Sequence, residues 1–364
     1  MRRECNMHNG IETPTGLELA CDEVPVIGDR LEIAPGVFWI RMPLPFSLNH
    51  INLWILKDGD GWTLVDTGFP TAETKAAWEM LLKDIKPVKR IIVTHFHPDH
   101  TGLAGWLAKK TGAPVHMAPA EFAAAKQAYT GTSEKIFDAY RKYYHSIGVR
   151  HDIAEQIIDC HKTYRNAGIA LTETVTPIYD DQSFTIDGHK WHVVMGYGHS
   201  PAHVCLFAPE LNVFIPGDLI LPWISTNIGA VSLETADGDP LGDYMNSLAR
   251  FEGLLSEDCL ILPSHGEPFY GAHHRIKALT DHHARRLNEV AEICRVTAQT
   301  PFQIMQRLFR RPLEPLDMFF ALGETIAHTN ALMADGRLTK LEDKGQIRFA
   351  LSTVGAFHSL LGTK

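Results

Sequence analysis

Thr94-His95-Phe96-His97-Pro98-Asp99-His100 follows directly on the apolar run Arg90-Ile91-Ile92-Val93, and the reading of this stretch decides the fold. A short, β-branched apolar run reads as a fully buried strand. It delivers four metal-type side chains at its C-terminal end, the place where open α/β sheets carry their chemistry. His95 and His97 are two apart in extended chain and project to the same side, while Asp99 and His100 follow on a turn. Imidazole with carboxylate is the donor set of zinc or a similar first-row ion. A single histidine is more often a satisfied structural side chain than a ligand, so the string needs partners elsewhere.

Working outward, three later places match it. They are His199 in Gly198-His199-Ser200-Pro201, Asp218 in Ile215-Pro216-Gly217-Asp218, and His265 in Pro263-Ser264-His265-Gly266. Each follows a β-type run and stands beside glycine or proline, as a ligand on a loop should. Asp66, in Leu64-Val65-Asp66-Thr67-Gly68, ends another apolar run, although Asp-Thr-Gly is also ordinary turn chemistry. His203 reads as structural. Ser200 and Ser264 adjoin ligand candidates without a dedicated base and read as loop residues.

The rest of the chain frames these positions. Residues 1–30 form an irregular N-terminal arm. Strand-type runs at 37–41, 51–56 and 62–66 precede a helix over 71–84, with the turn Lys57-Asp58-Gly59-Asp60-Gly61 marking a hairpin. A helix to Lys110 and a strand at 114–117 lead into a helical insertion at about 120–168. Strands return at 183–195, 203–208, 211–216 and 259–263, with a helix over 241–256 between the last two. The sequence from 273 changes character: a helix over 273–296, a second from the cap Thr300-Pro301, a third over 316–334, and two short strands around Asp343-Lys344-Gly345. Three helices and a β-wing describe a winged helix.

The order HxHxDH, GHSP, GD and SHG is similar to the metallo-β-lactamase superfamily over about residues 35–270. The resemblance implies an α+β fold, a four-layer αββα metallo-β-lactamase sandwich. Here it would carry a helical insertion and a C-terminal winged helix, with the catalytic domain at 31–272 and the winged helix at 273–364. It implies that His95, His97 and His199 hold one metal and that Asp99, His100 and His265 hold a second, with Asp218 bridging. Asp66 would orient the ligand loop. Two Zn2+ are expected, with iron or manganese as alternatives. The chemistry implied is hydrolysis by a metal-bridging hydroxide, with Asp99 also handling the proton. Branches with a glutamate at the place of His97, the flavo-diiron reductases, are disfavoured.

Fold does not settle substrate. A small carbonyl substrate (thioester, ester or lactone) is expected, because Tyr140, Tyr143, Tyr144, His145 and His151 of the insertion, with Trp223, offer the makings of an enclosed pocket. The alternative is a metal-dependent nuclease using the winged helix. A formal net charge of −9 argues against a surface that attracts phosphate backbones over long range. The six cysteines are scattered, which suits reduced thiols. With no secretory-type apolar run after the first arginines and no membrane-length segment, a cytoplasmic enzyme is expected. A homodimer stays open.

Overall fold

The early strands carry apolar residues on both faces, and each face has its own partner. In the computed structural model, which describes residues 16–130, 134–165, 168–229 and 236–352, Val37 and Trp39 point into one core while Ile40 and Met42 point into another. Residues 1–15 of the expected arm, Cys5 among them, and 353–364 of the expected C-terminal domain lie outside the described residues.

β1 (Glu18–Leu19) opens the described chain. The first sheet then runs, in spatial order, through β2 (Leu31–Ala34), β3 (Val37–Pro43), β4 (His50–Asp58), β5 (Gly61–Val65), β6 (Val88–Ile92), β7 (Val115–Met117) and β8 (Thr176–Pro177). Its strands are antiparallel up to β5 and parallel from there to β8. The change fits the connections: short loops join the antiparallel strands, whereas helical crossovers are needed between parallel ones. α1 (Ala72–Leu81) joins β5 to β6, α2 (Pro98–Thr101) and α3 (Ala104–Thr111) join β6 to β7, and α4 (Pro119–Tyr129) starts the longer connection from β7 to β8. Trp78 of α1 and Leu107 of α3 bury against Ile51, Leu53, Leu64 and Ile91.

The second sheet has the order β1, β14 (Phe269–Tyr270), β13 (Leu260–Pro263), β12 (Val213–Gly217), β11 (His203–Ala208), β10 (His189–Gly196) and β9 (Ser183–Ile186). The run read from sequence as one strand over 183–195 is a hairpin. Asp187 and Gly188 both take positive φ, 51° and 82°, which a two-residue turn between strands requires. The two sheets meet face to face. Trp39, Trp54 and Val65 of the first pack with Trp191, Val193, Leu206, Ile215 and Leu262 of the second. The outer face of the second sheet places Phe214 against Phe251 of α7 (Pro240–Leu254). A helix, sheet, sheet, helix sandwich results.

The chain divides into two compact units. The first is drawn from Met1–Thr130, Arg165–Thr226 and Ser247–Ala278, the second from Gly131–Tyr164, Asn227–Asn246 and Leu279–Lys364. The helical insertion is therefore shared: α4 belongs to the first unit, α5 (Glu134–Ser146) and most of α6 (His151–Arg165) to the second. Within the second unit, Phe137, Tyr140, Tyr144, Ile157 and Ile158 bury with Phe302 and Met305 of α9 (Pro301–Leu308) and Leu322 and Ile326 of α10 (Pro315–Ala334). Val290 and Cys294 of α8 (Ala272–Ile293 and the turn after it) pack on Ile304, Leu332, Leu338 and Phe349. The hairpin of β15 (Leu338–Asp343) and β16 (Gln346–Leu351) closes on Lys344-Gly345, both at positive φ. No described helix is long and apolar enough to cross a membrane.

Candidate metal centre

Strand ends of both sheets converge on one point of the first unit. Past the end of β6 the chain runs on through a bend at Phe96 and His97. Pro98 then starts the one-turn helix α2, a position that suits proline, and turns Asp99 and His100 back toward His95. His199 follows β10, Asp218 follows β12 and His265 follows β13. The backbone ties these loops together: Val204 N donates to Thr94 O at 2.9 Å, and Ser264 N to Gly217 O at 3.1 Å.

The donors fall into two groups. His95, His97, His199 and Asp218 present ligand atoms within 4.8 Å of one another, and so do Asp99, His100 and His265. In the first group His95 Nε2 lies 2.9 Å from His97 Nδ1 and 3.2 Å from His199 Nε2. In the second, Asp99 Oδ2 lies 3.5 Å from His265 Nε2 and 3.7 Å from His100 Nε2. Asp218 faces both. Its Oδ2 is 3.4 Å from His199 Nε2 and its Oδ1 is 3.3 Å from His100 Nε2 and 3.5 Å from His265 Nε2.

Charge is distributed unevenly. Burial first, and then the neighbouring His100, His97 and His203, push His95 well below its ordinary range. His97 falls to about 3 through burial and His199. His265 behaves oppositely: burial opposes its charge, but Asp218 and Asp99 push it up to about 10. His100 is likewise raised, against burial, by Asp218, Asp66 and Asp99. Burial disfavours the charge of Asp99 and Asp218 too, yet His100 and His265 hold both carboxyls below the usual range. His95 and His97 are thus kept neutral, whereas His100 and His265 on one side and Asp99 and Asp218 on the other hold one another in their charged forms.

Neighbours fix which nitrogen faces inward. His265 Nδ1 lies 2.9 Å from the His50 carbonyl, which can only accept, so Nδ1 carries hydrogen and Nε2 points to the acids. His100 Nδ1 lies 2.8 Å from Asp66 Oδ2. Asp66 also accepts from Thr94 N at 2.7 Å and Thr94 Oγ1 at 2.8 Å. It does so at φ 63°, a left-handed backbone that costs a non-glycine residue about 1 kcal/mol or more.

The residues fit a metal. Among the described residues, His100 Nε2 and Asp218 Oδ1 are buried without a hydrogen-bond partner, although they lie 3.3 Å apart. Each such orphan costs about 1–3 kcal/mol, and a cation contacting both removes the cost. Imidazole nitrogens with carboxylate oxygens suit zinc, iron or manganese.

Thus all seven ligand candidates and Asp66 come together. Trp223 stands near them: a Cβ on Gly266, which follows His265, would meet Pro222 Cγ at 2.5 Å and Trp223 Cδ1 at 3.3 Å, and Gly266 holds φ 86°. Tyr140, Tyr143 and Tyr144 lie in the second unit, packed in or against its hydrophobic cluster, and His151 of that unit is exposed. His203, read as structural, stacks on His95 and accepts from Asp218 N at 3.2 Å. The sequence reading missed Asn52 and Arg41. Asn52 Nδ2 donates to Pro263 O and Gly266 O, and Arg41 Nη2 to Gly266 O, which pins the His265 loop. One signal was available, a single amide interrupting the apolar strand Ile51–Leu56.

Known proteins resemble this chain over most of its length. A family model described as Metallo-beta-lactamase superfamily matches residues 47–265, and one described as Metallo-beta-lactamase-like, C-terminal domain, matches 287–352. The "Probable metallo-hydrolase YqjP" of Bacillus subtilis is 27% identical over 86% of this chain and 97% of its own length. An atrochrysone carboxyl ACP thioesterase of Aspergillus terreus is 24% identical over 74% of this chain and 67% of its own. Among solved structures, a beta-lactamase domain protein from Burkholderia ambifaria superposes with a TM-score of 0.83 at 36% identity, covering 92% of this chain and 97% of that one.

Proposed function

The chain belongs to the metallo-beta-lactamase superfamily and is a metal-dependent hydrolase, and from that premise we propose that it uses two metal ions to hydrolyse a small carbonyl substrate: a thioester, an ester or a lactone. The observation that carries the two-metal reading is Asp218, whose two carboxylate oxygens face the two donor groups separately. His95, His97 and His199 would hold one ion, Asp99, His100 and His265 the other, and Asp218 would join them. Zinc is the first expectation, with iron or manganese as alternatives.

When bound, such a pair lowers the pKa of a water and polarises the oxygen of the bond to be cleaved. The chain's own groups do the rest. Asp99 is held in its ionised form by His100 and His265 and is placed to accept the proton of the attacking water. Asp66 and the His50 carbonyl keep Nε2 of His100 and His265 turned inward. Trp223, fixed by its Nε1 donating to Glu267 at 2.7 Å, offers a flat apolar wall beside the His265 loop. A thioester leads the substrate classes because several relatives are named thioesterases. In the second unit we read α8, α9, α10 and the β15–β16 hairpin as winged-helix-like.

The test is metal analysis of the purified protein followed by a screen against acyl thioesters, esters, lactones, β-lactams and phosphodiesters. Two metal equivalents with carbonyl turnover, both lost in Asp218→Ala, are expected. Turnover of phosphodiesters alone would overturn the substrate class, and a single equivalent would overturn the two-metal reading.

A further inference from the structure

Glu121 sits in the first turn of α4 with no exposed surface. Ordinarily a buried carboxylate is paired with a cation. Here its three hydrogen-bond donors are two backbone amides and a hydroxyl. Oε1 accepts from Ser200 Oγ at 2.7 Å and from Ala202 N at 2.6 Å, and Oε2 accepts from Phe96 N at 2.9 Å.

The identity of those donors matters. Phe96 lies between His95 and His97. Ser200 adjoins His199. Ala202 adjoins His203, which takes the Asp218 amide and stacks on His95. One carboxylate therefore stands a single residue away from all three histidines of the first donor group, on two loops from different sheets. The same helix holds Phe96 a second time, because Tyr129, eight residues along, donates its hydroxyl to Phe96 O at 3.1 Å. Both peptide groups of the residue between His95 and His97 are thus fastened to α4. Asp66 instead touches His100 directly and reaches His95 through Thr94, whose Oγ1 lies 3.0 Å from His95 Nδ1.

We propose that Glu121 is the positioning residue of the His95, His97 and His199 group, fixing the spacing of three nitrogens that no single loop could set. Asp66 serves the other group through His100. The inference rests on the two-metal reading above. A carboxylate is required because three donors converge on two oxygens. Glutamine accepts at one oxygen only and turns an N–H2 toward a donor, so Glu121→Gln breaks one arm of the clamp while preserving volume.

The experiment titrates metal-free wild type, Glu121→Gln and Ser200→Ala with Co(II), read by metal content and by the Co(II) absorption spectrum. His97→Ala and His265→Ala serve as references for each group impaired. For Glu121→Gln one equivalent should bind as in wild type and the other about 10–100-fold more weakly, with a residual spectrum like that of His97→Ala. Ser200→Ala, which removes one of three bonds, should weaken the same equivalent by a smaller factor. Binding of both equivalents as in wild type, equal weakening of both, or a spectrum like that of His265→Ala overturns the proposal. Should Glu121→Gln fail to fold by circular dichroism, Ser200→Ala and Tyr129→Phe decide on the same criterion, and no selective loss in either overturns it. A wild type that takes up no metal overturns the two-metal reading and this inference together. A wild type with two equivalents and an unselective Glu121→Gln overturns the inference alone.

Discussion

In the first unit, buried imidazoles face carboxylates: Asp66, Asp99 and Asp218 touch His100, and two of the three also touch His265. In the second unit, His283 and His328 are equally buried but face each other. His328 Nδ1 lies 2.7 Å from the Glu324 carbonyl, which can only accept, so His328 Nε2 must accept from His283 Nδ1 at 3.3 Å. His283 Nε2 is then a buried lone pair without a hydrogen-bond partner among the described residues. Burial, with His328, His282 and Arg286 adding to it, keeps His283 well below its usual range. Burial and Arg286, against the pull of the Glu324 carbonyl, bring His328 to about 4. Buried histidines alone therefore make neutral packing. Carboxylates on the inner nitrogens are what make a place for cations, and this chain has built both kinds.

The contrast can be broken most forcefully at Asp218. Asp218→Ala should empty the centre of metal and lower kcat/KM by roughly 10³-fold or more, the equivalent of several kcal/mol of lost stabilisation, as measured by metal analysis and turnover. In the second unit the expected effect is on stability. The folded pKa of His328 lies below the unfolded value of 6.5, so the unfolded chain binds the extra proton. The contribution is complete above pH 6.5 and is lost as pH falls toward about 4, amounting to roughly 3 kcal/mol. Urea unfolding at pH 7.5 and pH 5 should show roughly 2 kcal/mol of this loss, and His328→Leu should reduce it. A profile unchanged by the substitution removes His328 from the account.

Smaller effects sharpen the comparison. Asp66→Asn should weaken metal binding about 10–100-fold, seen in competition with a chelator, because an amide accepts at its single oxygen only and turns an NH2 toward the other donors. Thr300→Ala removes the side chain of a capping box on α9 and should cost roughly 1 kcal/mol of stability. Metal content should not change with it.

The gathering of the ligand candidates was legible because chemistry and spacing coincide locally: HxHxDH is contiguous, and each later candidate sits just past an apolar strand. The sandwich followed from the same runs. Glu121 was not legible, since an acid in the first turn of a helix is what the helix dipole favours anyway. Its meaning comes from Phe96, Ser200 and Ala202, which the chain brings to it from 25 residues before and about 80 after. The insertion was legible as helix, but the apolar residues of α5 say only that a face is covered. That Phe302, Met305 and Leu322 cover it is a long-range fact that periodicity does not hold.

The placing of the ligand candidates has a mechanical consequence. His95 to His100 hang from the first sheet, and His199, Asp218 and His265 hang from the second. Ions held among them would act as a reversible cross-link between two halves of a sandwich, closing loops of more than a hundred residues and thereby restricting the unfolded chain. Removing metal should then do more than stop turnover. It should loosen the seam between the sheets, so that protease resistance and hydrogen-exchange protection at β6, β10, β12 and β13 report on ion occupancy even when no substrate is present.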